Sequence, residues 1–136
     1  MDKKEAQTQC RNFAVKIVQL YRHLSNNKKE AVLSEQLLRS GTGIGANLAK
    51  ADCAINKNEY LTRLYSALQD CAETKYWLDV LNASGVLTEF EYNSHTQDCD
   101  TLQNMFLLAI KSLRAAINPG AAANAAVTPA PAAKQA

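Results

Sequence analysis

His95 and Cys99 stand four residues apart, a spacing that brings two side chains to one face of a helix where they could grip a metal ion. A zinc site needs two more ligands. The other histidine, His23, is remote in sequence and no second pair accompanies it, so His95 and Cys99 read as core lining and no metal is expected. The run Gly41-Thr42-Gly43-Ile44-Gly45 is like a glycine-rich phosphate cradle. Such cradles follow a strand and open a helix, however, whereas these glycines interrupt a helical pattern. The carboxylates are scattered, with no pair placed for acid–base work, and nothing supports a Cys–His nucleophile. The expectation is a protein that is not an enzyme and carries no cofactor.

The element that holds the glycines organises the rest. Leu33, Leu37, Gly41, Ile44, Leu48, Ala51 and Ile55 recur at helical spacing and predict one helix facing a core. Each glycine inside it costs about 1 kcal/mol relative to alanine, a cost that close approach of another backbone can offset. Gly41, Gly45 and Ala49, at i, i+4 and i+8, are expected to form that packing seam. Beside it runs a polar line, Gln36, Ser40, Gly43 and Asn47, which reads either as a hydrogen-bond network between helices or subunits or as a small-ligand site.

Three other helices are expected. The first runs from about Lys4 to His23 or Leu24 on the stripe Phe13, Ile17, Leu20, Tyr21 and Leu24, and Ser25-Asn26-Asn27 ends it. The glycine-bearing helix then starts at Lys28 and ends between Ala51 and Ile55. Asn56 caps the third, with Glu59 completing a capping box, and Gly85 stops it. Its apolar stripe, taken at 100° per residue from Leu61, leaves Trp77 and Leu81 on the wet side. That pair reads as an oligomer interface, or as a Trp covered by the following loop. Thr88 and Glu91 box the start of the fourth helix, Leu87 and Tyr92 are placed to form a hydrophobic staple, and Tyr92, His95, Cys99, Leu102, Phe106, Ala109, Leu113 and Ile117 form its stripe. Short links between four helices predict an all-α, up-down-up-down antiparallel four-helix bundle over residues 1–118. Residues 119–136, Ala/Pro-rich, read as a disordered tail.

Charge and targeting signals narrow the class. Fifteen basic against thirteen acidic residues give a net charge of +2, which by itself names no partner. Distribution says more: residues 1–63 hold eleven basic and six acidic residues, and residues 64–136 hold four and seven. The first two helices could therefore attract polyanions, or simply carry solvated faces. Cys10, Cys53, Cys71 and Cys99 form no C-x-x-C pair and read as reduced thiols of a cytoplasmic protein. The charged N-terminus lacks a secretory h-region, and no apolar run is long enough to span a membrane.

The stretch LSEQLLRSGTGIGANLAKA, followed by Asn56-Lys57-Asn58-Glu59-Tyr60 and by Leu64, Ala67, Leu68, Ala72, Glu73 and Leu78, resembles the small four-helix-bundle proteins encoded in 23S rRNA intervening sequences. The resemblance covers roughly residues 11–114. Relatives of that family include the accessory variability determinant of diversity-generating retroelements. The resemblance implies a homopentamer and non-enzymatic association with RNA or DNA, with a reverse transcriptase as a possible partner. On that basis Arg11, Lys16, Arg22, Lys28, Lys29, Arg39, Lys50 and Arg63 become candidate phosphate contacts. The alternative is a protein-interaction scaffold that never touches nucleic acid, and a weaker third reading is a small-molecule binder at the glycine seam. The chain departs from the family pattern at Lys50, Ala51 and Lys75, where Glu, Gly and Glu are usual. The two lysines raise the positive potential, or else face carboxylates such as Glu59 or Glu73.

Overall fold

The computed structural model describes residues 2–120, and residues 121–136, where most of the expected tail lies, fall outside them. Four helices follow in order: α1 (Lys3–Asn26), α2 (Val32–Ala51), α3 (Lys57–Ala83) and α4 (Glu89–Ile117). They pack α1 on α2, α2 on α3 and α3 on α4, and the short turns make each antiparallel to the next. The α1–α4 seam is the loosest of the four.

The buried positions explain this arrangement. On α1 they are Ala6, Cys10, Phe13, Ile17, Leu20 and Leu24. On α2 Ser34, Leu37, Gly41, Ile44, Leu48 and Ala51 form the stripe, and on α3 Leu64, Ala67, Cys71, Thr74, Leu78 and Leu81 do. On α4 they include His95, Cys99, Leu102, Phe106 and Ala109. Every stripe steps by alternating threes and fours, a seven-residue repeat. That repeat holds one face against its neighbours, whereas an ideal 3.6-residue helix drifts by about 20° per heptad.

This period corrects one expectation. Leu81 is fully buried, and Trp77 is half-buried against the core, so the two do not form an outward pair. Extrapolating α3 at 100° per residue accumulates an error of about 50° between Leu64 and Leu81, enough to move a core leucine toward the surface. Two smaller corrections accompany it. Helix α2 starts at Val32 and not Lys28, because Lys29 takes a left-handed backbone (φ 60°) that no helix continues through. Ile55, assigned to the α2 stripe, lies beyond the helix end and is 87% exposed.

The helix ends are fixed locally. Asn56 accepts the Glu59 amide at 2.8 Å, but the Glu59 carboxylate reaches the Ile55 amide, so this box is only half closed. Thr88 and Glu91 form the full reciprocal box. At the end of α3 the Val86 amide donates to Leu81 O (2.9 Å) and the Gly85 amide to Asn82 O (3.1 Å). With Gly85 at φ 82° this is a Schellman stop. Leu87 is buried and Tyr92 packs on the core.

Helix α2 runs unbroken through its three glycines. A Cβ at Gly41 would sit 2.9 Å from Ile17 Cγ1, and one at Gly45 would sit 3.3 Å from Cys10 Cβ, so both admit α1. Gly43 faces the other way, where a Cβ would meet Asp70 Oδ2 of α3 at 2.7 Å. Ala49, the third expected seam position, is exposed and lies along an open groove between α1 and α2.

Candidate nucleic-acid interface

The polar line on α2 meets α3. Thr74 donates to Ser40 at 3.0 Å inside the bundle, and Asn47 donates to Asp70 at 2.7 Å. Burial pushes the Asp70 carboxyl above its ordinary pKa, partly offset by the Asn47 hydrogen bond. Arg39 bonds to Gln36 and pairs with Glu73, which also accepts from the Trp77 indole at 3.0 Å. The Trp77 and Arg39 hydrogen bonds hold Glu73 below the usual carboxylate range. Gln36, Ser40 and Asn47 are thus occupied by inter-helix or local hydrogen bonds.

His95 and Cys99 line the core. The His95 Nδ1 lies 2.7 Å from Glu91 O, and burial lowers the imidazole pKa, which keeps the ring neutral. The Cys99 thiol donates to Cys71 O at 3.3 Å. Burial lifts the Cys10 thiol to about 12, so it is inert as a nucleophile at neutral pH. Among the described residues no group of three His, Cys, Asp or Glu side chains converges on a point.

The eight cations singled out in the sequence do not form one patch. Lys16 bridges the α1–α4 seam, 2.6 Å from both Asp98 and Ser94, and Arg39 is held by Glu73. Arg22, Lys28 and Lys29 lie at one end of the bundle and Lys50 and Arg63 at the other, with Arg11 on the flank of α1. Lys75, one of the departures from the family pattern, pairs with Asp100 of α4 and bonds to Gln103, not with Glu59 or Glu73.

Antiparallel packing nevertheless sorts charge lengthwise. The end built from the start of α1, the end of α2, the start of α3 and the end of α4 carries Lys3, Lys4, Lys50, Lys57, Arg63, Lys111 and Arg114 against Asp2, Glu5, Asp52 and Glu59. All four carboxylates there accept from amides: Asp2 from Lys4 N, Glu5 from Gln9, Asp52 from Gln7 and Glu59 from Ile55 N. Lys3 lies over the Tyr60 ring, 5.4 Å from its centroid. Among the described residues the other six cations form no ion pair, and all but Arg63 are exposed. The opposite end holds Arg22, Lys28 and Lys29 against Glu30, Glu35, Asp79, Glu89 and Glu91. Sequence reasoning missed Lys111 and Arg114 because it divided the chain by position, and α4 returns its last turns to the end where α1 begins; Lys4 and Lys57 lay in the positive half but were not singled out.

The profile of the 23S rRNA-intervening sequence protein family matches residues 2–107. The chain belongs to that family. Among solved structures it is similar to a protein of unknown function from the S23 ribosomal protein family of Bacteroides thetaiotaomicron VPI-5482, at 37% identity. That match covers 82% of this chain and 99% of the other, with a TM-score of 0.80. No match was found among curated proteins. For this 23S rRNA-intervening sequence protein, no helix among the described residues is long and apolar enough to cross a membrane.

Proposed function

We propose that the protein is a non-enzymatic accessory that binds nucleic acid through its cationic end, with Lys4, Lys50, Lys57, Arg63, Lys111 and Arg114 meeting phosphates. The observation that carries the reading is six cations without an ion pair at an end where cations outnumber carboxylates seven to four. That excess leaves the end net positive, whereas Lys16 and Arg39 have their charge neutralised by Asp98 and Glu73. Contacts of this kind read charge and not sequence, so duplex DNA and RNA should both bind.

The test is retention of labelled RNA and duplex DNA as salt is raised. If about four phosphates are neutralised, log affinity for duplex DNA falls with log salt at a slope of about −3.6, a loss of roughly 150-fold between 50 and 200 mM. Replacing Lys57, Lys111 and Arg114 by Ala together should flatten that slope and weaken binding at least tenfold. Replacing Arg22, Lys28 and Lys29 should change little. No retention at 50 mM salt, or equal losses from both triple variants, overturns the reading.

A further inference from the structure

The turn between α2 and α3, residues 52–56, projects an apolar side chain from the cationic end. Ile55 is 87% exposed, more than any other large apolar side chain among the described residues. Its backbone is held on both sides. The Cys53 amide donates to Lys50 O at 3.1 Å and the Ala54 amide to Ala51 O at 3.0 Å. The Ile55 amide reaches the Glu59 carboxylate, Asn56 accepts the Glu59 amide, and Asp52 is tied to Gln7 of α1. A turn braced in this way keeps the isoleucine in water, where any apolar cover would be favourable.

Whatever covers Ile55 must also accept its neighbours. Lys50 precedes it by five residues and Lys57 follows it by two, both exposed and neither ion-paired. The covering surface therefore carries negative charge outside and apolar groups within reach. A duplex has both, in its phosphates and in the faces of its stacked bases, and isoleucine is among the side chains able to wedge between base pairs. A single strand fits less well, since it binds by stacking on aromatic rings. Tyr60, the aromatic residue closest in sequence, is half-buried and has the Lys3 ammonium over its ring. An anionic membrane also fits less well. One isoleucine is little apolar area for anchoring, and Asp2, Glu5, Asp52 and Glu59 share the surface.

We infer that Ile55 enters a duplex between base pairs while Lys50 and Lys57 meet the phosphates beside it, so that this end selects duplex whose stacking is already interrupted. The inference rests on the nucleic-acid reading above and names the form of nucleic acid it prefers. Opening an intact step costs stacking energy, which offsets what covering one isoleucine returns. At an unpaired nucleotide the step is already loosened, and the gain from Ile55 then appears as tighter binding.

Fluorescence anisotropy at about 100 mM salt compares a DNA duplex of about 20 base pairs with the same duplex carrying one unpaired adenosine at its centre. The bulged duplex should bind at least tenfold more tightly. Ile55→Ala should bring the two affinities to within about twofold of each other and leave the intact duplex and its salt slope unchanged. Val15→Ala, an exposed apolar residue in mid-α1, should keep the preference. As a direct signature, 2-aminopurine in the base pair next to the bulge should brighten on adding the parent protein and not on adding Ile55→Ala. Equal binding of both duplexes, or a preference that survives Ile55→Ala, overturns the inference and leaves the nucleic-acid reading standing. Retention of neither duplex ends both. If Ile55→Ala instead weakens binding to phosphatidylserine vesicles and leaves the duplex ratio untouched, the covering surface is a membrane and the inference falls.

Discussion

The three glycines of α2 make a graded prediction, because each faces a different obstacle. Gly→Ala inside a helix gains about 1 kcal/mol from propensity, provided the new methyl has room. At Gly43 the methyl meets only the end of the Asp70 side chain, which can rotate toward solvent. The gain is then reduced by the Asn47–Asp70 hydrogen bond, about 1 kcal/mol or less, and the net lies between zero and about 1 kcal/mol stabilising. At Gly45 the nearest atom is Cys10 Cβ at 3.3 Å, backed by the α1 main chain, and a shift of a few tenths of an ångström cancels most of the gain. At Gly41 the methyl would strike the branched stem of buried Ile17 at 2.9 and 3.0 Å, and overpacking of this kind costs about 1–3 kcal/mol. The expected order of stability is therefore Gly43→Ala above Gly45→Ala above Gly41→Ala, with the last about 0–2 kcal/mol below the parent. Urea unfolding followed by circular dichroism reads these differences at constant slope. Ile17→Ala alone costs about 2–5 kcal/mol. In the Gly41→Ala background it removes the Cγ1 and Cγ2 atoms that clash, so the pair should be more stable than the sum of the single effects. A Gly41→Ala protein as stable as Gly43→Ala, or strict additivity with Ile17→Ala, refutes the claim that Gly41 exists to admit Ile17.

Two further outcomes follow from the same structure. Gly85→Ala places a Cβ on a left-handed residue at the Schellman stop and should cost about 1–2 kcal/mol by urea unfolding, although nothing else lies within 4 Å of that Cβ. His95 is kept neutral by burial, with the Lys16 ammonium adding to the effect. Its folded pKa lies below the ordinary 6.5, so the unfolded chain takes up a proton first as pH falls. Stability should therefore drop as pH is lowered through 6.5, and His95→Gln should reduce that dependence in urea midpoints measured from pH 7.5 to 5.5.

Much of the fold was legible in the sequence because three helices advertise their core stripes and ends with simple signals. Phe13, Ile17, Leu20 and Leu24, the Thr88–Glu91 box and the stop at Gly85 needed no tertiary information. Helix α3 was less readable. Its apolar residues spread over several faces, with Tyr65 and Tyr76 outside and Cys71 and Thr74 inside, so only the neighbouring helices decide which face is the core. The cationic end was hidden for a related reason: Lys57 and Arg114 are distant in the chain, and antiparallel packing alone brings their helix ends to the same pole. The α2 polar line could be seen but not interpreted, since its partners Asp70 and Thr74 lie on another helix.

The shared seven-residue stepping limits how these rods can change length. Adding one residue in mid-helix turns everything downstream by about 100°. In α1 that would swing Leu20 and Leu24 out to water and bring neighbouring polar groups in to take their places. Inserting seven residues restores the original facing, but only if the adjoining rods lengthen as well, because each meshes with the next like teeth on a rack. Variation in chain length should therefore gather in the turns at residues 27–31, 52–56 and 84–88, where the count can change without rotating a rod.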